Sequence, residues 1–135
     1  VSSSQAPAPA TRHVPTLLAV AVGGGLGAVL RWCLELLLPA GSGWPWATLV
    51  TNVLGSAALG WLVVHDDRHR HPHWLRPGVG TGLLGGFTTF STYAVQTALL
   101  GRVDPLVGLV YLVVTAALCV AAAGLGARLA RGGAS

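Results

Sequence analysis

The chain has 135 residues, 53% of them hydrophobic and only 9% charged, with a formal net charge of +4. Ordinary soluble domains carry about 25% charged residues, and a chain this short exposes much of its surface. Eight arginines and four acidic residues do not cover that surface in water, and the arginines lie scattered at the ends of apolar runs. This excludes a typical soluble enzyme, a disordered tail and a nucleic-acid module, whose basic residues would gather along one face. It leaves a protein whose solvent is mostly lipid.

Residues 1–13 are rich in Ser, Ala and Pro without periodicity and read as a flexible N-terminal tail. The apolar stretch that follows is too long for a secretory leader. Four apolar segments come next, at residues 16–38, 46–64, 79–100 and 106–125. Each is close to the ~20 residues that a helix needs to cross a bilayer. Backbone in lipid must satisfy its own hydrogen bonds, and no strand-like alternation is present, so the segments predict four helices. The reading is an all-α membrane domain over residues 14–130, with 131–135 as a C-terminal tail. The connection 39–45 is a turn with an interfacial tryptophan, 65–78 holds most of the soluble charge, and 101–105 is a tight turn. Four short helices enclose little interior, which predicts a dimer.

Arginine placement gives an orientation in the cell membrane. Arg12, Arg68, Arg70, Arg76, Arg128 and Arg131 fall on one side, against Arg102 and, at most, Arg31 on the other. Both termini are therefore expected in the cytoplasm.

Polar residues inside the spans are expensive and mark candidate sites. In the first segment, Arg31 stands one turn before Glu35. It reads either as a local ion pair or as a vestibule charge that attracts anions. The glycines at 23–27 permit close helix approach. In the second segment, Thr48 and Asn52 share one face, and Asn52 must meet protein or water. The third segment places Gly85-Gly86-Phe87-Thr88-Thr89-Phe90-Ser91-Thr92 at mid-membrane. Paired glycines before β-branched threonines predict a broken helix, whose freed carbonyls can bind a cation. In the fourth segment, Tyr111 and Thr115 form a weaker pair.

Three further features carry less. Gly80-Thr81-Gly82-Leu83-Leu84-Gly85 spells a dinucleotide fingerprint, but no strand precedes it. The His-rich loop 65–73 has no defined metal-ligand spacing and reads as a solvated, mildly pH-sensitive loop. Cys33 and Cys119 sit in apolar runs and read as small apolar residues rather than as a disulfide.

Three stretches together resemble the Fluc (CrcB) fluoride channels. They are Gly27-Ala28-Val29-Leu30-Arg31, then Thr48-Leu49-Val50-Thr51-Asn52-Val53-Leu54-Gly55-Ser56, then Gly85-Gly86-Phe87-Thr88-Thr89-Phe90-Ser91-Thr92. They stand in family order, and the four-segment layout and length match. The resemblance covers residues 16–127. It implies an antiparallel dimer with two fluoride pores along the subunit interfaces and no catalysis. Backbone carbonyls of Gly85 and Thr88 would hold a structural Na⁺ at the dimer centre. Asn52 would reach into the pore, and Phe90 and the ring at 93 would form an aromatic cluster. Ser91, Thr92 and Tyr111 would belong to a polar track, with Thr48 on the Asn52 face and Arg31 near a vestibule.

Two features depart from the family pattern. Tyr93 stands where the family usually has Phe. The arginine bias suits a chain of fixed orientation, which implies a heterodimer with an oppositely inserted paralogue rather than a homodimer. Two alternatives follow from the residues. A small proton-coupled multidrug exporter would need a lone central carboxylate, and a non-conducting partner subunit would stabilise another chain without passing ions.

Overall fold

Among residues 14–38, 43–68 and 71–132, which the computed structural model describes, the ordered elements are helical and no strand occurs. The expected tail 1–13, residues 39–42 of the expected turn, the last residues 133–135, and His69 and Arg70 of the His-rich loop lie outside the described residues. Helix α1 spans Val14–Leu37, α2 spans Trp46–Arg68 and α5 spans Pro105–Gly132. These three are long and apolar enough to cross a membrane. The third segment is in pieces: a π-helical stretch Pro77–Leu84, a single turn α3 at Gly85–Phe87, and α4 at Phe90–Val103.

Several boundaries differ from the hydropathy reading. Helix α2 continues past residue 64 through Asp67 to Arg68, because a helix that has left the apolar layer still satisfies its own backbone. The tight turn expected at 101–105 shrinks to Asp104. Its carboxylate accepts the Leu106 N–H at 2.8 Å, and Pro105 fills the first helical position. Helix α5 runs on to Gly132. Ala, Leu and Arg are good helix formers, so the helix outlasts its hydropathy.

The break falls at Thr88 and Thr89, both extended, with φ/ψ of −79°/157° and −146°/118°. Upstream, the Gly85 N–H reaches back to Gly80 O, the longer register of a π-helix. This widened stretch packs on α1 backbone to backbone. A methyl on Gly82 would stand 3.0 Å from Val20 Cα, and one on Gly86 would stand 3.0 Å from Gly24 Cα. The second close pair is α2 with α5, where a methyl on Gly126 would stand 3.0 Å from Trp61 N. In lipid, where apolar burial drives little, such small-residue faces let dispersion and backbone contact hold helices together.

The burial pattern inverts that of a water-soluble protein. Tyr111, Thr51, Thr48, Thr115, Tyr93 and Thr89 are buried, while most large aliphatic side chains face outward. The hydroxyls take the inside because lipid cannot satisfy them.

At the far end of α2, residues 71–73 of the His-rich loop are exposed as expected, and the described side chains pair with one another. Asp66 is only 16% exposed and meets both the His71 ring at 3.1 Å and the Arg76 guanidinium at 3.6 Å. The His65 ring stacks between Trp61 and His71. No group of metal-ligating side chains forms among the described residues.

Candidate functional site

The site is built on the break. In a continuous helix, Thr89 N–H would bond Gly85 O and Thr92 N–H would bond Thr88 O. Here both donors go elsewhere. Thr89 N–H donates to Asn52 Oδ1 at 2.8 Å, and Asn52 Nδ2 returns a bond to Thr89 O at 3.0 Å. Thr92 N–H donates to Thr89 Oγ1 at 3.2 Å, which caps α4. Thr88 N–H and Thr88 Oγ1 both donate to Leu84 O, each at 2.9 Å. The carbonyls of Gly85 and Thr88 thus lose their helical donors. These are the two groups expected to hold a cation, and their chemistry fits one: backbone oxygens beside a helix break.

Asn52 was expected to reach into a pore, and here both ends of its carboxamide bond the Thr89 backbone. Its carboxamide pins the extended Thr89 backbone from the neighbouring helix.

The predicted residues divide between two cavities. Asn52, Gly85, Thr88, Phe90 and Tyr93 line a largely apolar groove of about 390 Å³, together with Thr89, Thr115 and Cys119. Arg31, Thr48 and Thr92 line a second cavity of about 330 Å³, with Glu35 and Gln96. The bond from Thr89 Oγ1 to Thr92 Oγ1, at 3.0 Å, joins the two. Ser91 and Tyr111 line neither; Ser91 is exposed, with its hydroxyl 3.3 Å from Thr89 Oγ1, and Tyr111 is fully buried. Arg31 and Glu35 do pair, at 3.5 Å, and still face the second cavity. The two readings of Arg31 are thus compatible.

The rings form a chain. Phe90 lies 6.0 Å from Tyr93, Tyr93 lies 5.7 Å from Tyr111, and Tyr111 meets Trp44 edge-on at 5.2 Å. Phe90 is 80% exposed, and Tyr111 is fully buried. Tyr93 donates its hydroxyl to Leu112 O at 2.6 Å, so the extra oxygen points into α5. The Tyr111 hydroxyl donates to Gln96 Oε1 at 3.2 Å.

Across most of its length the sequence fits one known pattern: residues 18–127 match the family described as CrcB-like protein, Camphor Resistance (CrcB). The chain belongs to the CrcB-like family. Among the relatives of this CrcB-like chain is "Fluoride-specific ion channel FluC 2" of Streptomyces avermitilis. It is 44% identical over 106 residues, which is 76% of this chain and 67% of that protein. "Fluoride-specific ion channel FluC 1" of Streptomyces coelicolor is 43% identical over 124 residues, covering 88% of this chain and 79% of the relative. "Fluoride-specific ion channel FluC" of Hahella chejuensis is 40% identical over 123 residues, covering 87% and 96%.

Three residues of this CrcB-like site escaped the sequence reading. Gln96 is an uncharged polar side chain within a span, one turn after Thr92, and that spacing was the available signal. Thr89 was visible only as one of a row of hydroxyls. Trp44 read as an interfacial aromatic, and nothing local tied it to Tyr111.

Proposed function

We propose that this chain is a subunit of a fluoride-selective channel that lets cytoplasmic fluoride leave passively and so reduces its toxicity. The observation that carries the reading is the row at the break. There an 80%-exposed Phe90 ring stands beside Ser91, Thr92 and Tyr93, inside a segment otherwise built for lipid. Fluoride is small and strongly hydrated, so a narrow path must replace its water with donors. The Ser91 and Thr92 hydroxyls and the Asn52 amide supply them. Ring edges carry partial positive charge and can face an anion without trapping it. Several weak sites in series suit conduction. Arg31 at the polar cavity raises the local anion concentration. The relatives' names support the same reading, and it makes the protein a channel, not an enzyme.

A single subunit leaves Phe90 and Gly85 open on its surface, which favours pores completed by a second subunit. In this reading two subunits pack antiparallel, and the two breaks meet at the dimer centre. Gly85 O and Thr88 O of each would hold Na⁺, which supplies positive charge that the helix-end carbonyls lack. The arginine bias favours an oppositely inserted paralogue as the second subunit, with both termini of this chain cytoplasmic. A proton-coupled exporter fits less well, because Glu35 sits near the end of α1 paired with Arg31.

The test is fluoride efflux from liposomes, read with a fluoride electrode, for this chain alone and with an oppositely oriented paralogue. Fluoride efflux without matching chloride flux is expected. Absence of fluoride flux in both preparations, or equal chloride flux, would falsify the channel reading. Strong flux from the lone chain would remove the need for a paralogue and leave the channel standing.

A further inference from the structure

We propose that Asn52 is the positioning residue that opens the cation site, acting from α2 through the Thr89 backbone. This rests on the reading that Gly85 O and Thr88 O hold Na⁺. Both polar atoms of the Asn52 carboxamide are engaged by one residue: Oδ1 accepts Thr89 N–H at 2.8 Å, and Nδ2 donates to Thr89 O at 3.0 Å. That two-point grip is the pairing an adjacent β-strand would offer, and Thr89 is correspondingly extended at φ −146° and ψ 118°. Without the grip, Thr89 N–H has one nearby acceptor of the right register, Gly85 O, four residues back. Capturing it would extend α3 and consume the first cation ligand.

Thr89 completes the device. Its Oγ1 takes Thr92 N–H at 3.2 Å, the donor that would otherwise return to Thr88 O. One residue on α2 and one side chain at the break thus withhold both helical donors from the two carbonyls that a cation needs. In lipid a carbonyl without a donor must find another partner. An oxygen pair at the negative end of a helix finds it in a cation. A stripped break with no grip would relax toward plain helix, and the cation site would close with it.

Positioning is a second role for Asn52 beside donation to fluoride, and the two roles respond differently to substitution. In Asn52→Leu both bonds are lost at similar volume. In Asn52→Asp the acceptor for Thr89 N–H is kept, so Gly85 O stays free. Thr89→Val removes the cap for Thr92 N–H, and Thr89→Ser restores it.

The experiment uses the full chain, assembled with its paralogue where one is needed. Na⁺ binding is titrated with radioactive Na⁺ in N-methylglucamine buffer, and fluoride efflux is measured on the same preparations. Asn52→Leu and Thr89→Val are expected to weaken Na⁺ binding about tenfold or more, the usual cost of losing a partner that orients a metal ligand. Asn52→Asp and Thr89→Ser should keep it near wild type, whatever they do to flux. Unchanged Na⁺ affinity in Asn52→Leu, with flux lost, would overturn the proposal and leave Asn52 as a fluoride donor alone. If Asn52→Leu fails to assemble, the Thr89→Val and Thr89→Ser pair decides: equal Na⁺ affinity in the two overturns it. A wild-type protein that conducts fluoride but binds no Na⁺ overturns both this inference and the cation reading, while the channel reading stands. A wild-type protein that binds Na⁺ but passes no fluoride overturns only the channel reading.

Discussion

Replacing Tyr93 with Phe removes a single oxygen from the centre of the ring chain. That oxygen donates to Leu112 O at 2.6 Å, and Tyr93 is 8% exposed. Leu112 lies inside α5, so its carbonyl keeps its own helical donor when the hydroxyl goes. No buried group is left unpaired, and the ring still fills its place. The loss is therefore one interhelical hydrogen bond between α4 and α5, worth about 0.6–1.7 kcal/mol in a membrane protein. SDS titration in mixed micelles should read a destabilisation of about 1 kcal/mol, a factor of about five in the folding equilibrium. Fluoride efflux should stay within about twofold of wild type, because the hydroxyl is committed to α5 and the ring that lines the groove is kept. A flux change of about tenfold or more at unchanged stability would refute this, since that amounts to about 1.4 kcal/mol acting on the anion rather than on the fold.

The remaining predictions concern packing, the exposed ring and the polar cavity. Gly126→Ala would drive a methyl into the Ala57 carbonyl on α2 and should destabilise by about 1–3 kcal/mol in the same titration. Gly25→Ala meets nothing within 4 Å and should stabilise by about 0.5–1 kcal/mol, so equal effects from the two would sink the close-packing account. Phe90→Ile should abolish fluoride efflux yet change subunit stability by less than about 0.5 kcal/mol, because the ring is 80% exposed within one subunit. Arg31→Gln leaves Glu35 alone at the second cavity and should slow fluoride efflux several-fold at about 0.01 M salt. The deficit should shrink at about 1 M salt, where the screening length falls to about 3 Å. A deficit independent of salt would mean that Arg31 acts through structure rather than through its field.

How legible each feature was depends on the range of the interaction that makes it. Span lengths and the weak helix propensity of 85–92 are local properties, and the break fell inside that window at Thr88 and Thr89. The π-helical register of Pro77–Leu84 was not legible, because it needs α1 glycines to press against it. Asn52 was singled out as an expensive amide, but its grip on Thr89 spans 37 residues of sequence, and no local pattern specifies that pairing. The Tyr93 hydroxyl raised a question about the pore that only the Leu112 carbonyl answered. Gln96 was not legible as a site residue because its partner, the Tyr111 hydroxyl, comes from another helix 15 residues away.

The sequence by itself determined the solvent, the number of spans, the place of the break and the set of polar residues that lipid would not tolerate. Each follows from composition or local propensity, summed along a short window. The tertiary structure alone decided how those polar residues divide the work. It set Asn52 against the Thr89 backbone, drew Arg31, Thr48, Thr92 and Gln96 around one cavity, and turned the Tyr93 hydroxyl into α5. The physical reason is that a hydrogen bond between helices depends on distance and angle in space. Those are fixed by which glycine faces let the helices approach, not by spacing along the chain.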